Sequence, residues 1–184
     1  MTGADGSTGR SDAASSGPSA YCVASVAYYQ RCGSGVTPAC VDTKKQECAK
    51  EESVYSAAYI NAATTCEAPT SACDPQTKRD CEARALAGAT PTTAQTKLRD
   101  DYCKTCNPTS SKCATTFYSF GTGTSTDGPG YFGFVMNDAT VAQMDASCTG
   151  SALQIGNLRC QDAFAGCIQQ IYAQAVQPIQ TNCN

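Results

Sequence analysis

The sequence predicts a mainly α fold in which disulfide bridges staple helical hairpins, interrupted once by a short aromatic β-hairpin or compact loop. Three observations lead there. Fourteen of the 184 residues are cysteine, an even count far above ordinary usage that suits a closed set of bridges in an oxidising compartment. Helix-start signals, a capping side chain with or without a following proline, recur along the chain. Two aromatic runs enclose a glycine-rich stretch where helical periodicity stops. The cysteines are Cys22, Cys32, Cys40, Cys48, Cys66, Cys73, Cys81, Cys103, Cys106, Cys113, Cys148, Cys160, Cys167 and Cys183, all expected in disulfides. Metal binding is the rival explanation, but structural zinc sites commonly draw on His as well, and the chain has none.

Taken in order, residues 1–19 read as a flexible tether: Gly, Ser, Thr and Asp dominate and little there can be buried. The remainder, 20–184, reads as one domain, about what its length supports. Ser19 caps a helix over 20–31 that carries Cys22, Val26 and Tyr29 on one side and ends at Gly33-Ser34-Gly35. Thr37-Pro38 starts a charged helix toward Glu52, with Ser53 as a restart point. Val54, Tyr55, Ala58, Tyr59 and Ala62 form the buried stripe of the next helix. Asp74-Pro75 opens another, closed by Gly88; Thr90-Pro91 or Thr92 opens one reaching Cys103.

From 113 to 137 the pattern breaks. Phe117, Tyr118 and Phe120 precede the glycine-rich stretch, and Tyr131, Phe132 and Phe134 follow it. These six, out of nine Tyr and five Phe, are a candidate contact surface; the alternative is that they plug the end of a thin core, since rings carry the most buried area per residue. Asp138 then caps a helix with Val141, Met144 and Cys148, and a last helix runs over 158–176 until Pro178 stops it.

Cysteine spacing suggests a repeat. Cys40, Cys48 and Cys66 parallel Cys73, Cys81 and Cys103 or Cys106, with Cys160, Cys167 and Cys183 as a looser third copy. If each copy is an antiparallel hairpin, Cys40 pairs with Cys66, Cys73 pairs with Cys103 or Cys106, and Cys48 and Cys81 bridge between hairpins. Fourteen cysteines allow on the order of 10⁵ connectivities, so spacing alone does not decide among them.

Composition excludes more function than it supplies. Thirteen basic against sixteen acidic residues give a net charge of −3, so no nucleic-acid partner is expected. No apolar run reaches the roughly 18 residues of a bilayer span. Membrane association is expected only through an N-terminal lipid anchor that this chain lacks. Without His, Ser-His-Asp and Cys-His nucleophile arrangements cannot form, and no phosphate-loop or dinucleotide fingerprint occurs, Gly121-Thr122-Gly123 lacking the third glycine. Tyr102-Cys103-Lys104-Thr105-Cys106 contains the one CxxC, a spacing used by thiol–disulfide catalysts, but it ends a helix rather than starting one. Cys103, Cys106 and Cys113 with a fourth thiol form a minor zinc alternative. Carboxylate pairs such as Asp100-Asp101, Glu51-Glu52 and Asp138 with Asp145 read as solvated helix faces. No catalytic residue, metal or cofactor is therefore assigned.

Tyr102-Cys103-Lys104-Thr105-Cys106, the turn at Gly128-Pro129-Gly130, Asn137-Asp138-Ala139-Thr140-Val141, Met144-Asp145-Ala146-Ser147-Cys148 and the pair Cys160 and Cys167 give an ordering that resembles cysteine-rich secreted lipoproteins of myxobacteria. That resemblance implies a periplasmic or outer-surface home and no activity. Pro91-Thr92-Thr93-Ala94-Gln95 with Lys97-Leu98 is locally similar to elicitins, helical disulfide proteins that carry sterols, although their six-cysteine spacing is not reproduced. The expected function is a non-enzymatic, secreted or extracytoplasmic helical protein acting by contact with a protein partner or as surface structure. The alternatives are a carrier of an apolar small molecule such as a lipid or sterol, and a thiol–disulfide oxidoreductase.

Overall fold

Capping side chains set six of the nine α-helix starts among the residues that the computed structural model describes, 17–123, 125–177 and 183. Ser19 Oγ accepts the Cys22 N–H at 3.1 Å and opens α1, Ala20–Cys32. Thr37 caps α2, Pro38–Val54, and Asp74 caps α4, Pro75–Ala87; in both the proline takes a first-turn position where no N–H is needed. Ser56 caps α3, Ala57–Cys66. Thr92 and Gln95 form a reciprocal capping box at the start of α5, Thr93–Cys106. Two short helices follow, α6 (Cys113–Thr116) and α7 (Tyr131–Val135), then α8, Asp138–Cys148, capped by Asn137. A 3₁₀ turn at Gly150–Ala152 leads to α9, Cys160–Ala175.

Three helix starts therefore differ from expectation: Ser53 lies inside α2 and Ser56 restarts the chain; Asn137, not Asp138, caps α8; and α9 begins two residues after Leu158. Residues 1–16 of the tether and Pro178 lie outside the described residues.

The mainly helical, disulfide-stapled fold is what forms. Its hairpins are offset by one helix from those the cysteine spacing suggested. α1 packs on α2 and on α3, and α3 packs on α4. Cys22–Cys48 staples the first pair and Cys66–Cys81 the second. Between α2 and α3 the chain does not reverse: Tyr55 and Ser56 are extended and pair elsewhere. Between α1 and α2 it does reverse, with Gly35 at φ +65° supplying a left-handed residue.

The expected pairings of Cys40 with Cys66 and of Cys73 with Cys103 or Cys106 are thus corrected. Cys40 joins Cys183, Cys73 joins Cys32, Cys103 joins Cys113 and Cys106 joins Cys160; Cys148–Cys167 completes the set. Cys81 does bridge between the two expected copies, and Cys48 bridges outward to α1.

One node ties the chain's distant parts together. The break between α2 and α3 lies against the break between α7 and α8, forming a single antiparallel bridge, Tyr55 with Met136. Ser56 N–H donates to Val135 O and Asn137 N–H to Val54 O, each at 2.8 Å. Three capping side chains also make a second hydrogen bond here. Ser56 Oγ donates to Phe134 O (3.1 Å), Gln95 Nε2 donates to the same carbonyl (2.7 Å), and Asn137 Nδ2 donates to Ser53 O (2.6 Å). The C-terminal carbonyls of α7, orphaned within a five-residue helix, are satisfied this way.

The interior is aromatic. Rings run in unbroken contact from Phe164 to Tyr102, Phe117, Tyr118, Phe134, Phe120, Tyr131, Phe132 and Tyr172, with centroids 4.4–6.1 Å apart. Leu86, Leu98, Val141, Met144 and Ile168 fill around them. The loop carrying the rings needs glycine at Gly130, where a Cβ would stand 2.3 Å from the Phe117 ring. Of the two readings of 113–137, the compact loop is the one realised: the rings point inward from α6, α7 and the connection rather than alternating across a sheet.

Candidate functional site

The six aromatic residues of the candidate contact surface are brought together, but inside. Phe117 and Phe134 are fully buried, while Tyr118, Phe120, Tyr131 and Phe132 are half-buried against the same core. Phe117 and Phe134 therefore present no contact surface, while the other four keep part of their rings exposed; apolar area drives the rings toward the larger of the two buried clusters. Among the described residues the exposed large apolar side chains are Val23, Ile155 and Leu158.

The CxxC does not form a redox pair. Cys103 and Cys106 occupy the last turn of α5, and their sulfurs bond to α6 and to α9 respectively. Cys113, the third thiol of the zinc alternative, is the partner of Cys103. All fourteen cysteines are bridged and none is free.

The carboxylate pairs do not converge. Glu51 accepts the Tyr21 hydroxyl at 2.7 Å, Asp138 accepts Thr92 Oγ1 at 2.6 Å, and Asp145 is bound by Lys97, which also reaches Asp101. Those two carboxylates hold the exposed Lys97 ammonium above the ordinary lysine range. Asp100 pairs with its neighbour Arg99.

Two surface clefts are candidates for binding. One, about 350 Å³, runs between α2 and α9 and is lined by Val54, Tyr172 and Val176 together with Lys50 and Glu51. The Tyr55 and Tyr172 hydroxyls lie 3.4 Å apart beneath it, and burial pushes Tyr55 well above the usual phenol range. The other, about 290 Å³, lies at the α3–α4 turn, with Thr70, Ser71, Thr77 and Lys78 around the Cys66–Cys81 bridge.

Behind that second cleft is a buried ionic cluster. Glu67, the residue after α3, and Glu82, on α4, are 4% and 7% exposed. Lys78 Nζ pairs with Glu67 Oε1 and lies 3.7 Å from Glu82 Oε1. Burial alone lowers the Lys78 ammonium, but the two carboxylates more than offset it and its pKa is raised. Burial raises Glu82, which Lys78 only partly counters.

From α1, Tyr28 and Arg31 close over the turn. The Tyr28 ring sits under both cations, 5.0 Å from Lys78 Nζ and 5.4 Å from the Arg31 guanidinium. Arg31 donates to the Ser71 and Ala68 carbonyls, and Cys32–Cys73 fixes the loop covalently.

Sequence reasoning missed this cluster. Lys78 and Glu82 at i,i+4 read as an ordinary exposed helix pair, and Glu67, eleven residues away from Lys78, carries no local sign of burial. Comparison of the chain with protein-family models, with curated proteins and with solved structures found no match.

Proposed function

We propose that the chain is a non-enzymatic, extracytoplasmic module acting by protein contact or as surface structure, with its bridges holding a rigid helical body. The observation that carries this reading is the commitment of all fourteen cysteines to seven bridges. Thiols spent on joining chain segments are withdrawn from thiol chemistry, and such a set persists only where the surroundings are oxidising. No helix among the described residues is long and apolar enough to cross a membrane. The resemblance to myxobacterial lipoproteins fits the same periplasmic or outer-surface home, with attachment through an N-terminal lipid ahead of the tether.

Carriage of an apolar small molecule is the second reading. The α2–α9 cleft favours it, since Val54, Tyr172 and Val176 give it an apolar lining. The filled aromatic core disfavours it, because carriers usually enclose most of the ligand's surface. Native mass spectrometry of protein purified from its host separates the two. A stoichiometric protein partner is the expected result, and a co-purifying lipid supports the carrier instead.

A further inference from the structure

The Glu67–Lys78–Glu82 cluster is one positive charge short. Two carboxylates face one ammonium in a place where both glutamates are more than nine-tenths buried. Each glutamate also has a buried oxygen without a hydrogen-bond donor, Glu67 Oε2 and Glu82 Oε1. An ionised carboxylate left so is costly, and a group in this position relieves the cost by taking up a proton.

Among the described residues, the nearby cations are engaged elsewhere. On α4, Arg79 pairs with Asp127 in the glycine-rich loop and lowers Glu82 only weakly, behind burial and Lys78. On α1, Arg31 is occupied by Ser71 and Ala68, and Tyr21 donates to Glu51 rather than to Glu67. The remaining titratable neighbours are phenols: Tyr59 of α3 and Tyr131 of α7 face Glu82, and Tyr28 of α1 faces Lys78. Burial pushes Tyr131 up to about 12, so it stays neutral across the physiological range and contributes no charge.

We propose that this cluster is a proton-binding site, loaded in mild acid through Glu82, and that the bound proton tightens the link between the end of α3 and α4. The added hydrogen neutralises the excess negative charge and relieves the cost of a buried ionised carboxylate oxygen without a donor. Lys78 then serves Glu67 alone, which strengthens the link between the end of α3 and the body of α4. Cys66–Cys81 and Cys32–Cys73 hold the turn in place while its charge changes.

The sign follows from linkage. Burial raises Glu82 in the folded chain above its unfolded value. The folded state therefore binds the extra proton over the window between the two values. The contribution of Glu82 to stability is greatest below the ordinary glutamate range, falls as pH rises from there through the folded value, and is lost above it. Lys78 moves with pH far higher, its raised pKa giving stability that is lost only in strong alkali.

The test uses the full oxidised chain. Side-chain carboxyl carbon signals of labelled Glu are followed by NMR across about pH 3 to 8, with thermal unfolding of wild type and Glu82→Gln over the same range. The expected result is a Glu82 midpoint above the ~4.3 of an unfolded glutamate. Glu82→Gln is expected to melt higher than wild type near neutrality, the difference vanishing in acid. A Glu82 midpoint at or below the ordinary value overturns the proposal, as do parallel melting profiles. If Glu82→Gln does not fold, the wild-type carboxyl titration alone decides.

Discussion

The two ends of the molecule are held together by different means. Around α1 and the facing parts of α2 and α3, the buried apolar cluster is Tyr21, Cys22, Cys48 and Ala63, two of the four being halves of one bridge. Cys32–Cys73, Cys66–Cys81, the Arg31 contacts and the Glu67–Lys78–Glu82 cluster supply the rest. From α5 to α9 the interior is Phe117, Phe134, Phe164, Leu98, Met144 and Ile168, all fully buried. There the bridges Cys103–Cys113, Cys106–Cys160 and Cys148–Cys167 reinforce a core that packing already defines. A region with little apolar area to bury depends on cross-links that constrain its unfolded state, whereas a region with stacked rings depends on shape.

Mutations that remove packing at one end and cross-links at the other break or sharpen that contrast. The largest effect is expected from Phe164→Ala, which removes the fully buried ring that packs on both Tyr102 and Phe117 and costs about 3–5 kcal/mol. Calorimetry on the oxidised chain measures it; a loss below about 1 kcal/mol would mean the rings are not the core. Next comes Cys22→Ala with Cys48→Ala, expected to cost about 2–4 kcal/mol. Hydrogen exchange should show α1 amides losing protection while α8 and α9 keep theirs. If protection falls equally everywhere, the two ends are not distinct in how they are held.

Gln95→Ala should cost about 1–2 kcal/mol, because it removes one of the two side-chain donors to the buried Phe134 O, leaving only Ser56 Oγ, and breaks the capping-box bond to the Thr92 N–H. Chemical denaturation reads this directly. The smallest effect is expected from Asn137→Ala, about 1 kcal/mol from loss of one cap and its link to Ser53 O. An Asn137 effect exceeding that of Gln95 would move the weight of the node from α5 to α8.

What could be read ahead of the structure follows from the range of the interactions. Ser19, Thr37-Pro38, Asp74-Pro75 and Thr92 mark real helix starts because a cap is decided within four residues. Asn137 was displaced by one position because Asn and Asp stand side by side and cap equally well. The bridge partners were out of reach: Cys40 finds Cys183 across 143 positions, and no local signal encodes that distance. The aromatic cluster was visible as a cluster, but its direction was not. Whether rings face solvent or each other depends on what α5, α8 and α9 offer them.

The buried cluster was hidden for the same reason. Lys78 and Glu82 have the spacing of a surface pair, and only α3 folding back on α4 brings in Glu67. Gln95 was equally silent, its capping role being local and its bond to Phe134 O entirely tertiary.

The central claim is that the fourteen cysteines join separate parts of the chain and leave none for chemistry. Peptide mapping under non-reducing conditions, on protein from its native compartment, tests it most directly. The account predicts Cys103 linked to Cys113 and Cys106 linked to Cys160. A Cys103–Cys106 bridge, or free thiols at those two positions, would contradict it and return the chain to thiol–disulfide exchange.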